Sequence, residues 1–131
     1  MSKGKVLVVD DDPITLEVVR ERLQRAGYEV STRGEALGTS HWIARNRPDF
    51  VLLDVNMPAL AGNELATLLR HNQRTRDICV ILHSGLEADE LQRLVHATGA
   101  TGAIEKTADP RAFLAQFERL TTQFRRQERE N

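Results

Sequence analysis

The sequence has a single cysteine, Cys79, which excludes an internal disulfide. It has no apolar stretch near the ~20 residues needed to span a bilayer. It has no excess of either charge: the formal net charge is −1, a total that implies neither nucleic acid nor membrane as a direct partner. It has no internal repeat and no Pro/Gly/Ser-rich linker, so no boundary divides it into two folding units. Its first residues are not a secretory leader, because Met1-Ser2-Lys3-Gly4-Lys5 leads into a short apolar run that ends in three aspartates. A cytoplasmic protein fits all of this. What remains is an ordinary composition of 131 residues, 40% hydrophobic and 28% charged. A chain of that size buries about two-thirds of its unfolded surface, enough for one unstapled core. Cys79 sits in the run Ile78-Cys79-Val80-Ile81-Leu82 and reads as a small buried hydrophobe.

Short apolar runs alternate with longer amphipathic segments. Val6-Leu7-Val8-Val9 reads as a buried strand stopping at Asp10. Asp12-Pro13 is a helix start, with Asp12 as the cap and Pro13 at the first helical position. Ile14, Leu16, Val18, Val19 and Leu23 follow at helical spacing until Gly27. A weaker strand is expected over 28–32, and a second helix from about 35 to 45, closed by Arg47-Pro48. Phe50-Val51-Leu52-Leu53 is a third strand ending at Asp54, and a helix follows from Gly62 to about His71. A fourth strand over 78–82 ends near Ser84, with a helix over 87–97 after it. Gly102-Ala103-Ile104 is a short fifth strand ending near Lys106, and Asp109-Pro110 opens the last helix. Trp42, alone on the second helix, is expected to pack at least partly against the sheet. The division expected is 1–124 as the folded unit and 125–131 as a charged, solvated tail.

Regular alternation of strand and helix gives an α/β fold, a doubly wound parallel sheet with helices on both faces. In such sheets ligands sit beyond the carboxyl ends of the strands. The polar residues found there are Asp10, Asp11, Asp54, Ser84 and Lys106. If strands one and three are neighbours, three aspartates converge. Their mutual repulsion is relieved by a divalent cation, and an all-oxygen site suits Mg²⁺ or Mn²⁺. Lys106 brings a point charge, Ser84 a hydroxyl, and Ser84-Gly85 a backbone N–H unobstructed by a side chain. Such donors around one carboxylate make a site for a phosphoryl group attacked in line.

Val8-Val9-Asp10-Asp11-Asp12, Leu53-Asp54-Val55-Asn56-Met57-Pro58, Gly62, Ser84-Gly85 and Lys106 together resemble the motifs of response-regulator receiver domains, in order, over about residues 5–120. The resemblance implies a flavodoxin-like (βα)5 sheet of five strands in the order 2-1-3-4-5. It implies that Asp54 is the phosphoacceptor, and that Asp11, Asp54 and the carbonyl of Asn56 hold Mg²⁺, with Asp10 assisting directly or through water. It implies that Lys106 pairs with Asp54 and the phosphoryl group, that Ser84 is the switch hydroxyl, and that the amide of Gly85 helps bind the group. The partners implied are a histidine kinase or phosphotransfer protein and a downstream protein that reads the fourth helix and fifth strand. Such a chain is a signalling module of a two-component phosphorelay; it catalyses only its own phosphorylation and slow dephosphorylation.

Three positions depart from the pattern. Thr107 follows Lys106 where the family usually has proline, and without proline a cis bond there is costly, ~3 kcal/mol. Ala103 stands where many receivers carry an aromatic that swings inward on activation. Ala61 stands where an acidic residue is common. His83, directly before Ser84, is expected by strand alternation to face away from the site as a hydrogen-bonded structural histidine. Two other readings compete. One is a pseudo-receiver that binds without phosphorylation. The other is a phosphatase of the haloacid-dehalogenase type, whose nucleophile would be Asp10 and whose second aspartate would be Asp12; Ile14 stands where that motif wants Thr or Val.

Overall fold

The computed structural model describes residues 2–57 and 62–130. Five strands alternate with five helices: β1 (Lys5–Val9), α1 (Pro13–Arg25), β2 (Glu29–Arg33), α2 (Thr39–Asn46), β3 (Phe50–Asp54), α3 (Gly62–His71), β4 (Cys79–Ser84), α4 (Ala88–Thr98), β5 (Gly102–Glu105) and α5 (Pro110–Glu130). All pairings are parallel and the strand order is 2-1-3-4-5. The sheet is the flavodoxin-like one, as expected.

Alternation along each strand sorts the core into two layers. Leu7, Val9, Val51, Leu53, Val80 and Leu82 face one side and pack with Ile43 of α2, Leu65 and Leu69 of α3, and Leu91 of α4. Val6, Val8, Phe50, Leu52, Cys79, Ile81 and Ile104 face the other, against Val19 and Leu23 of α1 and Phe113 and Phe117 of α5. Each large side chain so enclosed contributes about 1.5–3 kcal/mol by leaving water. β3 and β4 are buried on both faces, so their sequences read as continuous apolar runs. Trp42 is half-buried against the first layer.

α1 starts as its sequence dictates. Asp12 accepts the Ile14 amide at 3.1 Å and the Thr15 hydroxyl at 2.7 Å, and Pro13 opens the helix. The second helix starts later than its sequence suggests, at Thr39 and not near residue 35. Gly38 is left-handed, with φ of 77°, which no right-handed helix accommodates. Arg33 fixes the preceding turn by donating to Thr39 Oγ1 at 2.8 Å and to the Leu37 carbonyl at 3.2 Å. The last helix runs further than expected. Residues 125–130 are helical and exposed, so the expected tail begins as a continuation of α5. Arg125 ties that continuation down: its guanidinium lies 4.8 Å from the Phe50 ring centroid and donates to the Lys3 carbonyl at 3.0 Å.

Candidate functional site

The register brings the strand ends together at one rim of the sheet. Val9 stands beside Leu53, so Asp10 and Asp54 emerge side by side, and Asp54 stands beside His83 on β4. One carboxylate oxygen from each of Asp10, Asp11 and Asp54 falls within 4.8 Å of the others. Asp10 and Asp54 are buried and Asp11 is exposed. Close buried carboxylates with an open third one fit a hard, oxygen-seeking dication better than any soft metal.

Lys106 closes the far side. Its ammonium lies 3.1 Å from Asp10 Oδ2 and 3.5 Å from Asp54 Oδ1. Its backbone amide donates to the Ser84 carbonyl at 2.7 Å, which anchors the end of β5 to the end of β4. Burial pulls the Lys106 pKa down, but the hydrogen bond and charge of Asp10, then those of Asp54, outweigh it and the net direction is up. Asp54 is pushed up to about 6, first by burial and then by the charge of Asp10, against the opposing pull of Lys106. The Asn56 amide donates to Asp54 Oδ1 at 3.4 Å, a long bond in a turn where Asn56 alone of residues 54–57 is exposed. The Ser84 hydroxyl oxygen is buried and accepts the Leu86 amide at 3.1 Å. Gly85 is exposed, and a Cβ placed on it would meet nothing within 4 Å. No crowding therefore demands glycine at that position.

Asp10, Asp11, Asp54, Asn56 and Lys106 meet at this rim, and Ser84 and Gly85 stand at the end of β4, next to β3 and β5 in the sheet. Gly62 opens α3, while Pro58 and Ala61 lie outside the described residues. No peptide bond among the described residues is cis, so Thr107 follows Lys106 through a trans bond. Ala103 is half-buried beside a cavity of ≈ 150 Å³ lined also by Leu91, Gln92, Glu105 and Gln116. Asp12, the second aspartate of the phosphatase reading, has both oxygens engaged at the start of α1.

His83 departs from expectation. Alternation turns it to the face opposite Ser84, and register sets its neighbours on that face. It stands beside Asp54 and Ile104 on the face covered by α1 and α5, edge-on to Phe113 at 5.6 Å. It is 4% exposed, and its Nε2 has no hydrogen-bond partner among the described residues. Burial, then the nearby charges of Lys106 and Arg22, push its pKa down to about 3, so the ring is neutral. Arg22 of α1, which no motif in the sequence marks, reaches across to the backbone after Lys106.

A family model described as the response regulator receiver domain matches residues 6–118. The response regulator PleD of Caulobacter vibrioides is 33% identical over 120 residues, covering 90% of this chain and 26% of that protein. The transcriptional regulatory protein PrrA of Mycobacterium tuberculosis is 38% identical over 81 residues, covering 62% of this chain and 35% of that protein. The chain thus spans roughly a third or less of the length of these two relatives. Among solved structures, the chemotaxis response regulator CheY4 of Vibrio cholerae superposes with a TM-score of 0.82 at 30% identity, over 89% of this chain and 98% of that one.

Proposed function

The chain belongs to the response regulator receiver family of two-component signalling, and from that premise we propose that Asp54 accepts a phosphoryl group from a phosphohistidine of a histidine kinase or phosphotransfer protein. The observation that carries this is the rim itself. Three carboxylates from the ends of β1 and β3 lie within 4.8 Å, and an ammonium from the end of β5 faces them.

In the transfer, an Asp54 carboxylate oxygen forms the new O–P bond while the P–N bond to the donor imidazole breaks. The imidazole keeps the bonding pair and takes a proton from solvent. With a pKa of about 6, Asp54 is mostly ionised at neutral pH and so is a competent nucleophile. Asp10, Asp11, Asp54 and the Asn56 carbonyl would hold Mg²⁺ or Mn²⁺, which supplies positive charge where phosphoryl oxygens accumulate negative charge. Lys106 supplies a second positive charge from the opposite side, already positioned before the group arrives. The Ser84 hydroxyl turns from the Leu86 amide toward the new oxygens, and the Gly85 amide donates to them. The signal then leaves through the surface of α4 and β5, beside Ala103. The receiver unit is residues 1–124, with 125–131 as its charged extension.

Labelling with a small acyl phosphate tests this reading. Wild type is expected to take up one phosphoryl group only when Mg²⁺ is present. Uptake that survives chelation of the metal, or that persists in Asp54→Asn, would overturn it.

A further inference from the structure

In the segment that follows Lys106, Thr107 is half-buried and Ala108 is exposed. On the α1 side the segment borders a cavity of ≈ 450 Å³ lined by Ile14, Val18, Arg22, His83, Lys106 and Thr107, among others. What spans that side is Arg22. Its Nη1 donates to the Thr107 carbonyl at 3.0 Å and its Nη2 to the Ala108 carbonyl at 3.2 Å. The guanidinium also lies 5.5 Å from the Phe113 ring centroid, which keeps the long side chain in one orientation. Among the described residues it pairs with no carboxylate. Its charge is directed to two consecutive backbone oxygens. The forked geometry matters, because a lysine ammonium is a single point that cannot meet both carbonyls with the same rigidity.

Lys106 is thus held from both sides. Its own amide is fixed to the end of β4 by the Ser84 carbonyl, and the two residues after it are fixed to α1. We propose that Arg22 is a positioning residue for phosphoryl transfer, acting through Lys106 by clamping residues 107 and 108. This rests on the role given to Lys106 above. A loop freed from the clamp lets the ammonium drift from Asp54, and charge stabilisation by a loosely placed group is much weaker than by a fixed one.

The test compares wild type, Arg22→Met, Lys106→Ala and the double variant for initial rate of phosphorylation by an acyl phosphate at saturating Mg²⁺. Met keeps the apolar stem over Phe113 and removes both donors. Arg22→Met is expected to slow the reaction about fivefold or more, the loss of charge-assisted contacts, while Mg²⁺ affinity is unchanged. The double variant is expected to react within about twofold of Lys106→Ala alone, because the clamp has nothing left to position. The Lys106 ammonium signal in a nitrogen–proton NMR spectrum, assigned by its loss in Lys106→Ala, should broaden or shift in Arg22→Met. If the two substitutions multiply, or if Arg22→Met reacts at the wild-type rate, the proposal fails. Should Arg22→Met not fold, Arg22→Lys, which keeps the charge and can reach one carbonyl, takes its place with the same expectations. Failure of the Lys106 reading looks different: Lys106→Ala itself would then react like wild type.

Discussion

The ammonium of Lys106 lies 3.1 Å from Asp10 and 3.5 Å from Asp54, so before phosphorylation its nearer partner is Asp10. Asp10 is 1% exposed, and its Oδ2 has no other polar contact among the described residues. The lysine is therefore held at the rim chiefly by a residue other than the proposed phosphoacceptor. Nucleophile and carboxylate cluster survive in Lys106→Ala, so phosphorylation should continue, slowed about tenfold by loss of one charge-assisted contact. What should suffer more is the response. Phosphorylation-dependent changes in amide exchange over residues 84–97 are expected to shrink strongly in the variant. A full wild-type response would remove Lys106 from the switch.

The metal should be weakly held and hard. Asp11 is the exposed member of the cluster and gives any ion its open side. Asp11→Asn is expected to weaken Mg²⁺ binding by about tenfold or more, as loss of a direct ligand should cost at least as much as loss of a supporting residue. Calorimetric titration of the folded variant reads this. Unchanged Mg²⁺ affinity, or tight stoichiometric zinc at the rim, would contradict the assignment.

The loop after β4 carries the clearest conformational expectation. The Ser84 hydroxyl now accepts the Leu86 amide at 3.1 Å. If the hydroxyl turns to a phosphoryl oxygen, that amide loses its acceptor. Leu86 exchange should then speed up in the phosphorylated state, together with changes across residues 84–87, while Ala103, which has no ring to move, stays nearly constant. Changes confined to α1 and α2 would sink this account.

Much of this was legible in the residues, for identifiable reasons. Strands buried on both faces write continuous apolar runs, so β3 and β4 stood out at once. Asp12-Pro13 and Asp109-Pro110 marked helix starts by capping chemistry, and both caps formed: Asp109 accepts the Arg111 amide at 3.0 Å. The start of α2 was misjudged because helix-forming composition before Gly38 carries no mark of the left-handed turn that Arg33 secures from a distance. Arg22 is hidden by distance along the chain, since its partners lie 85 and 86 residues away. His83 lies beside Asp54 and Ile104 because its company depends on the register of three strands, whereas period-two alternation describes only one.

Cys79 gives a stability prediction with a definite sign. It is fully buried between the sheet and α5, and burial pushes its thiol up to about 12. In the unfolded chain a thiol ionises near 8.5. Above that pH the unfolded state releases a proton that the folded state keeps, so folding stability falls as pH rises from about 9 toward 12, by at most about 1.4 kcal/mol per pH unit. Below about 8 the thiol contributes no slope. Urea denaturation of wild type and Cys79→Ala across this range should show a steeper alkaline decline for wild type. Parallel declines would mean that the thiol is not protected.

The most direct measurement is the chemical location of the phosphoryl group. Wild type is treated with an acyl phosphate and Mg²⁺, and the product is reduced with borohydride, which converts a phosphorylated aspartate to homoserine. Tandem mass spectrometry of the digest then reads the modified position. The account predicts homoserine at position 54 alone, and none in Asp54→Asn. Homoserine at position 10, or none anywhere in a folded, metal-loaded sample, would contradict it.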